Sequence, residues 1–274
     1  MNILLLLLCA LLLCALAYLF LIMPRMLRRP DASALMGRYY AHRGLHDAKA
    51  GIPENSMAAF ERAVEAGYGI EFDVQLTSDR IPVVFHDETL ERMCGVPGNV
   101  RDYSYGELCM LPLAGTDQCI PLLADVLEMV DGRVPLIIEI KIHEHPGVVC
   151  EKADQLIAAY KGPYCIESFH PLAVKWYKEH RPQVIRGQLS ADFNRPGKRE
   201  PREQKLVHHL LTNALCRPDF IAYDHHAKGN LSRRLCRKLF GALSVAWTVK
   251  SQQELDACKA DFDLFIFEQF IPKE

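Results

Sequence analysis

The sequence predicts a parallel α/β protein: a (β/α)8 TIM barrel with a small insertion, preceded by one transmembrane helix. Three observations carry this. From Tyr39 to the C-terminus, short β-branched runs alternate with amphipathic helical stretches, the pattern of a parallel sheet wrapped in helices. About eight such runs are present, the number that closes a barrel. Ahead of them, residues 3–23 are leucine-rich and uncharged, and roughly 20 apolar residues suffice to cross a bilayer.

Taken in order, residues 1–23 form the span. It lacks a basic stretch before Ile3 and has no polar face, which favours a retained signal anchor over a cleaved signal peptide or a core helix. Residues 24–38 form a basic juxtamembrane linker with Arg25, Arg28 and Arg29. By the positive-inside rule these arginines place the following domain in the cytoplasm, at the cell membrane. The barrel occupies residues 39–274. Its expected strands are 39–42, 69–74, 82–86, 136–140, 164–168, 184–189, 220–223 and 243–249. Helices are expected at 56–66, 122–130, 147–160, 171–180, 203–214, 231–239 and 252–259. Residues 89–121 are rich in turn signals (Gly95, Pro97, Gly98, Asn99, Gly115) and read as an insertion on one rim, where loops carry specificity. A doubly wound open sheet is the competing architecture, but no glycine-rich fingerprint follows the first strand.

Composition narrows the function. The 274 residues are half hydrophobic, enough for a large core, and the formal net charge is −2, which gives no basic surface for nucleic acid. The ten cysteines show neither C-x-x-C pairs nor zinc spacing and read as free thiols in a reducing compartment.

The chemistry concentrates at strand ends. Glu71 and Asp73 lie two apart on an expected strand, so both carboxylates share a face; Glu139 and Lys141 repeat the device. Three carboxylates aimed at one end of a barrel repel one another. A hard divalent cation with oxygen ligands, Mg2+ or Ca2+, resolves that conflict, while internal ion pairs are the structural alternative. His42 and His86 each close an expected strand, as a base for a nucleophile and an acid for a leaving alkoxide. Arg43 and Lys141 supply cationic donors for phosphate oxygens. Within Pro53-Glu54-Asn55-Ser56, Asn55 or Ser56 reads as a helix N-cap, and Glu54 can face the site. Trp247, near the last expected strand, can pack against an apolar or glycerol part of a substrate. The histidine pairs 208/209 and 225/226 and the run His143-Glu144-His145 read as surface or loop residues.

His42-Arg43-Gly44, Pro53-Glu54-Asn55-Ser56, Glu71-Phe72-Asp73, Thr77-Ser78-Asp79, His86-Asp87, Glu139-Ile140-Lys141, Ser168-Phe169 and Trp247-Thr248-Val249 together resemble the glycerophosphodiester phosphodiesterase family, in particular its membrane-anchored bacterial members. The resemblance covers the chain from Tyr39 onward. It implies a (β/α)8 barrel hydrolysing glycerophosphodiesters to glycerol 3-phosphate and an alcohol, in lipid and glycerol metabolism. Positions matching Glu71, Asp73 and Glu139 would hold one divalent ion, those matching His42 and His86 would be the acid/base pair, and those matching Arg43 and Lys141 would bind phosphate. Two departures stand out: Ser56 where a threonine is usual, and Phe265-Ile266-Phe267-Glu268 where many members carry a Thr-Asp pair. Rival readings are a lysophospholipase D acting on lysophospholipids, a barrel of the phosphatidylinositol-specific phospholipase C type, and an inactive membrane-tethered binding protein.

Overall fold

The computed structural model describes residues 3–193 and 201–273. Eight parallel strands close on themselves: β1 (Tyr39–His42), β2 (Gly69–Leu76), β4 (Leu136–Ile140), β5 (Tyr164–Ser168), β6 (Ile185–Ser190), β7 (Phe220–Asp224), β8 (Leu243–Val249) and β9 (Leu264–Phe267). Each pairs with the next, and β1 bonds to both β2 and β9, which seals the barrel. The remaining strand, β3 (Pro82–Val84), is antiparallel to β2, with Val74 opposite Val84.

Residues 82–86, expected as a barrel strand, therefore form an arm outside it, and the eighth barrel strand is β9. The cause is local. Strand β2 runs past the barrel wall, Thr77 bonds Asp79 and Ile81 to make a turn, and the chain doubles back on itself. β9 is only four residues long, too short to announce itself by periodicity, yet its register against β1 is regular.

The helices are α1 (Ile3–Ile22), α2 (Met57–Glu65), α3 (Glu91–Cys94), α4 (Tyr105–Leu108), α5 (Leu123–Val130), α6 (Pro146–Ile157), α7 (Pro171–His180), α8 (Arg202–His208), α9 (Asn213–Cys216), α10 (Leu231–Lys238) and α11 (Gln252–Cys258). Three cores result. Phe72, Val74, Ile138 and Ile140 point outward beneath the helices, in the largest cluster. Tyr40, Ile137, Cys165, Phe220, Val245 and Ile266 fill the barrel interior, following the two-residue alternation of side chains. The insertion has its own small core of Phe85, Leu90, Val100, Leu108, Leu113 and Ile120. All ten cysteines are unpaired.

The segment 24–38 runs beneath the N-terminal ends of the strands. Arg25 donates to Pro182 O, Arg29 to the Phe240 and Gly241 carbonyls, and Arg38 to Gly67 O. Helix α1 is docked on the barrel only through its last turns. Ile22 is fully buried, its carbonyl accepts from Asn213 Nδ2 and Cys236 Sγ, and Arg217 donates to Phe20 O and Met23 O.

Interior packing is tight at Gly187 on β6, where a Cβ would come within 2.1 Å of the Phe220 ring. Gly187→Ala is expected to destabilise the protein by about 1–3 kcal/mol through overpacking, measured by chemical unfolding followed by circular dichroism. Adding Phe220→Leu should recover part of that loss.

Candidate active site

The carboxyl ends of β1, β2, β4, β5 and β9 converge on one depression. Glu71 and Asp73 project inward from β2 and Glu139 from β4, register neighbour of Asp73. Their oxygens lie within 4.8 Å of one another and all three residues are buried. Lys141, one residue beyond β4, places Nζ 2.9 Å from Asp73 and 2.8 Å from Glu139. Burial and the charges of Asp73 and Glu139 push the Glu71 carboxyl well above its usual range. Burial, only partly offset by Lys141, lifts Glu139 to about 7. Asp73 behaves oppositely: burial opposes its charge, but Lys141, His86 and Arg43 hold it well below the usual carboxylate value. Oxygen donors this close, two of them reluctant to ionise without help, fit a hard divalent cation. Glu167, on β5 and beside Glu139, is also buried with one carboxylate oxygen unpartnered, and burial holds its proton well above the usual range.

The two histidines flank this cluster, each with a carboxylate behind it. His42 Nδ1 lies 2.6 Å from Glu268 Oε2, leaving Nε2 on the inner side, 3.9 Å from Glu71. His86 Nδ1 lies 2.7 Å from Asp87 Oδ1. Burial lowers the His42 imidazole and takes His86 down to about 4. Both rings are therefore neutral near pH 7. With Nδ1–H donated to a carboxylate, each presents a lone pair at Nε2. Glu268 stays ionised against burial through its bonds with His42, His46 and Lys250.

Arg43 and Asn55 both adopt left-handed backbone, at φ 56° and 53°. That strain lets the loop after β1 turn inward, with Asn55 N bonded to Arg43 O. Arg43 Nη1 donates to Glu54 and its Nε lies 3.5 Å from Asp73. Gly44 sits at φ +81°, where a Cβ would meet the Ala59 backbone at 2.8 Å. Only glycine allows β1 to deliver His42 and Arg43 so close to α2. Asn55 is not the helix cap: Ser56 accepts from Ala59 N in that role, while buried Asn55 donates to Asp73 Oδ2 at 2.9 Å. From the insertion, Arg92 bonds both Glu54 and Asp87, and with Arg43 holds Glu54 at about 2 although burial opposes its charge.

All eight residues expected at the site lie at this end of the barrel. Three form the carboxylate cluster and His42, Arg43, His86 and Lys141 surround it, while Trp247 stands across the rim, its ring edge-on to Phe169 at 5.5 Å. Glu268, Asn55, Glu167 and Arg92 also stand at the site; the sequence reading gave Asn55 only as a helix-cap candidate and Glu268 only as part of a departure from the family pattern, and did not name Glu167 or Arg92. The two-residue alternation along β5 and β9 points to Glu167 and Glu268; nothing local signals Asn55 or Arg92. His208 and His225 are buried rather than on the surface.

The carboxylates make stability depend on pH. Glu139 loses its proton near 7 instead of 4.5, so its contribution is complete below the lower value and is lost as pH rises through the higher one. His42 and His86, both shifted down from 6.5, have finished titrating above that value. Without metal, the melting temperature should therefore fall between about pH 6.5 and 8. A divalent cation should raise it more at the upper end, and Glu139→Gln should flatten the metal-free profile. A profile already flat in the unsubstituted chain would contradict the cluster's electrostatics.

The profile of the glycerophosphoryl diester phosphodiesterase family matches residues 42–260. A putative glycerophosphodiester phosphodiesterase, YhdW, of Bacillus subtilis is 34% identical over 253 residues, covering 85% of this chain and 96% of that protein. The crystal structure of a glycerophosphodiester phosphodiesterase from Thermotoga maritima aligns with TM-score 0.63 at 27% identity, over 84% of this chain and 94% of that one. An Oleispira antarctica phosphodiesterase, solved with the product sn-glycerol-3-phosphate, shares the fold with TM-score 0.69 at 21% identity, over 86% and 94% of the two chains. A barrel closed in this way, with these residues at its carboxyl end and these relatives, belongs to the glycerophosphoryl diester phosphodiesterase family.

Proposed function

We propose that the chain hydrolyses glycerophosphodiesters to glycerol 3-phosphate and an alcohol, using a divalent cation, Mg2+ or Ca2+, held by Glu71, Asp73 and Glu139. The observation that carries this reading is the placement of two neutral, carboxylate-backed imidazoles on either side of the carboxylate cluster. When bound, the cation supplies Lewis-acid polarisation of the phosphoryl oxygens. Arg43 binds and orients the phosphate through its guanidinium. Lys141 offsets charge that grows on the phosphoryl oxygens in the transition state. One histidine takes the proton of the nucleophile at its Nε2 lone pair; the other acts as the acid in the form that has first gained a proton from solvent at Nε2, stabilised by the carboxylate at its Nδ1, and gives that proton to the departing alkoxide. Glu268 and Asp87 fix the two ring orientations through Nδ1, and Asn55 holds Asp73. Trp247 and Phe169 give an apolar wall for the glycerol or alcohol part.

The chain is further read as a single-pass membrane protein with its catalytic domain in the cytoplasm and no nucleic-acid partner. The docking of α1 supports a retained anchor. Its removal would strip the acceptor from the buried Asn213 amide and empty the slot that Ile22 fills, a cost that cleavage of a signal peptide would impose on the folded barrel.

His42→Ala and His86→Ala should each lower kcat by about 100- to 10,000-fold on a substrate with a poor leaving group. An activated leaving group should rescue only the variant that lacks the general acid. Chelation should abolish turnover of glycerophosphocholine, with Mg2+ or Ca2+ restoring it. Full turnover by both histidine variants would defeat the acid/base assignment, and metal-independent turnover would defeat the cation's role.

A further inference from the structure

The histidine pair 225/226, expected as surface or loop residues, forms part of a second ligand cluster, away from the three carboxylates. Strand β7 ends at Asp224, whose register partner on β8 is Trp247. The chain then makes a single turn of 3-10 helix, His225–Ala227, capped by the Asp224 carboxylate, which accepts from His226 N. That turn brings both imidazoles beside Glu254, in the first turn of α11. One ligand atom each of His225, His226 and Glu254 lie within 4.8 Å of one another. Strands β7 and β8 stand across the barrel mouth from β2 and β4, which bear Glu71, Asp73 and Glu139.

Each side chain is held for this meeting by a partner of its own. His226 Nδ1 lies 2.9 Å from Asp224 Oδ1, which leaves its Nε2 free. His225 is only 6% exposed, and its buried Nε2 has no hydrogen-bond partner. That nitrogen faces Glu254 Oε2 at 3.5 Å, beyond the range of about 2.7–3.2 Å for an N–H···O bond. Glu254 is fixed from behind: Lys250 N donates to Oε2 at 2.7 Å, and Ser251 Oγ accepts from Glu254 N. Imidazoles that bind metals usually have the second ring nitrogen bonded to a carboxylate or a carbonyl, which sets tautomer and orientation. Asp224 does this for His226, and the Thr248 backbone acts on the His225 ring as an acceptor.

An ion pair between His225 and Glu254 does not account for this arrangement. A buried polar nitrogen ordinarily has a partner, and Glu254 already takes its hydrogen bond from Lys250. A metal ion satisfies both. Two imidazole nitrogens and one carboxylate oxygen suit a borderline transition ion, whereas Mg2+ and Ca2+ take oxygen. Two histidines and a glutamate are a zinc donor set that leaves a fourth position for water. Zinc–ligand distances of about 2.0–2.2 Å put tetrahedral donors roughly 3.3 Å apart, so the cluster has only to contract onto the ion. His226 and Glu254, with side chains 67% and 33% exposed, open the way in from solvent.

We propose that His225, His226 and Glu254 form a second metal centre of the Zn2+ type, separate from the oxygen cluster, with Asp224 as the outer partner of His226. The ligands come from two consecutive strand–helix connections, so the ion ties the end of β7 to the start of α11. Between those points run Trp247, on the substrate wall, and Lys250, whose Nζ lies 2.8 Å from Glu268 behind His42. The centre is therefore a clasp on this side of the rim. It is independent of the diesterase reading, because none of its three ligands belongs to the phosphate site.

The test uses the untagged full chain in detergent, stripped of metal and dialysed against Zn2+ with Mg2+ in excess, the bound zinc being counted by atomic emission. Glu71→Gln weakens the oxygen cluster, and one zinc equivalent should remain in that variant. Adding His226→Ala, at an exposed position whose loss leaves the core intact, should remove it; in the unsubstituted chain His226→Ala should likewise cost one equivalent. Glu254→Gln should weaken this zinc at least about 100-fold, the upper end of what losing an outer partner costs. Co2+ in place of Zn2+ should give the intense visible spectrum of a four-coordinate ion, lost with His226→Ala. Zn2+ should raise the melting temperature of the Glu71→Gln chain and not that of the double variant. No zinc retained by the Glu71→Gln chain, an equivalent unmoved by His226→Ala and Glu254→Gln, or the weak Co2+ spectrum of a six-coordinate oxygen site would overturn the inference.

Discussion

Glu71, Asp73 and Glu139 are buried side by side, and Glu167 lies against Glu139. A buried carboxylate is costly unless something opposite in charge stands within a few ångströms. Lys141 and Arg43 outweigh burial only for Asp73; Lys141 also bonds Glu139, but Glu71 and Glu139 still hold protons at values where exposed carboxyls would have lost them. The neighbouring arrangements answer the same imbalance. The left-handed residues Arg43 and Asn55 bend a loop inward so that a guanidinium and an amide reach Asp73. A site that is short of positive charge is thereby poised for a cation and a phosphate together.

Barrel closure decides the state of His42. Glu268 reaches His42 only because β9 bonds to β1, whereas Asp87 backs His86 as its immediate neighbour in the chain, and β3 carries the pair together to the rim. Each carboxylate fixes a tautomer and an orientation. The insertion takes part as well: Arg92 ties Asp87 to Glu54, and Glu54 to Arg43. The rim is thus one connected polar network around the carboxylates.

The two ends of the barrel have different work. The amino end is closed by the arginines of residues 24–38 bonding to backbone carbonyls and by Tyr40 donating to Leu35 O. These contacts hold the fold together, and the carboxylate cluster that could hold a metal lies at the other end. The carboxyl end carries the site and the exposed part of α1. One short stretch, Tyr18 to Ile22, docks α1 on the barrel, and its direction along α10 sets which end the exposed part of α1 projects past.

Alternation by two along β2 and β4 was legible in the sequence, and it put Glu71, Asp73 and Glu139 on one inward face before any tertiary contact was known. The apolar residues 3–23, the strand–helix order and the turn-rich insertion were legible for the same reason: each is a local periodicity or composition. The strand at 82–86 was misread because an antiparallel arm and a barrel strand have the same local pattern, and pairing partners are non-local. Strand β9 is four residues long and stands outside the strands expected from periodicity; residues 265–268 were legible as a departure from the family pattern, but that Glu268 backs His42 depends on β9 pairing with β1. Asn55 looked like a cap because Asn and Ser share that chemistry, and only the backbone at φ 53° turned its side chain to Asp73. The sequence alone determined which residue types stand at strand ends and which faces they share. The tertiary structure alone decided which strand ends meet, which carboxylate backs His42 and which end α1 points to, because those depend on contacts across more than 200 residues of chain.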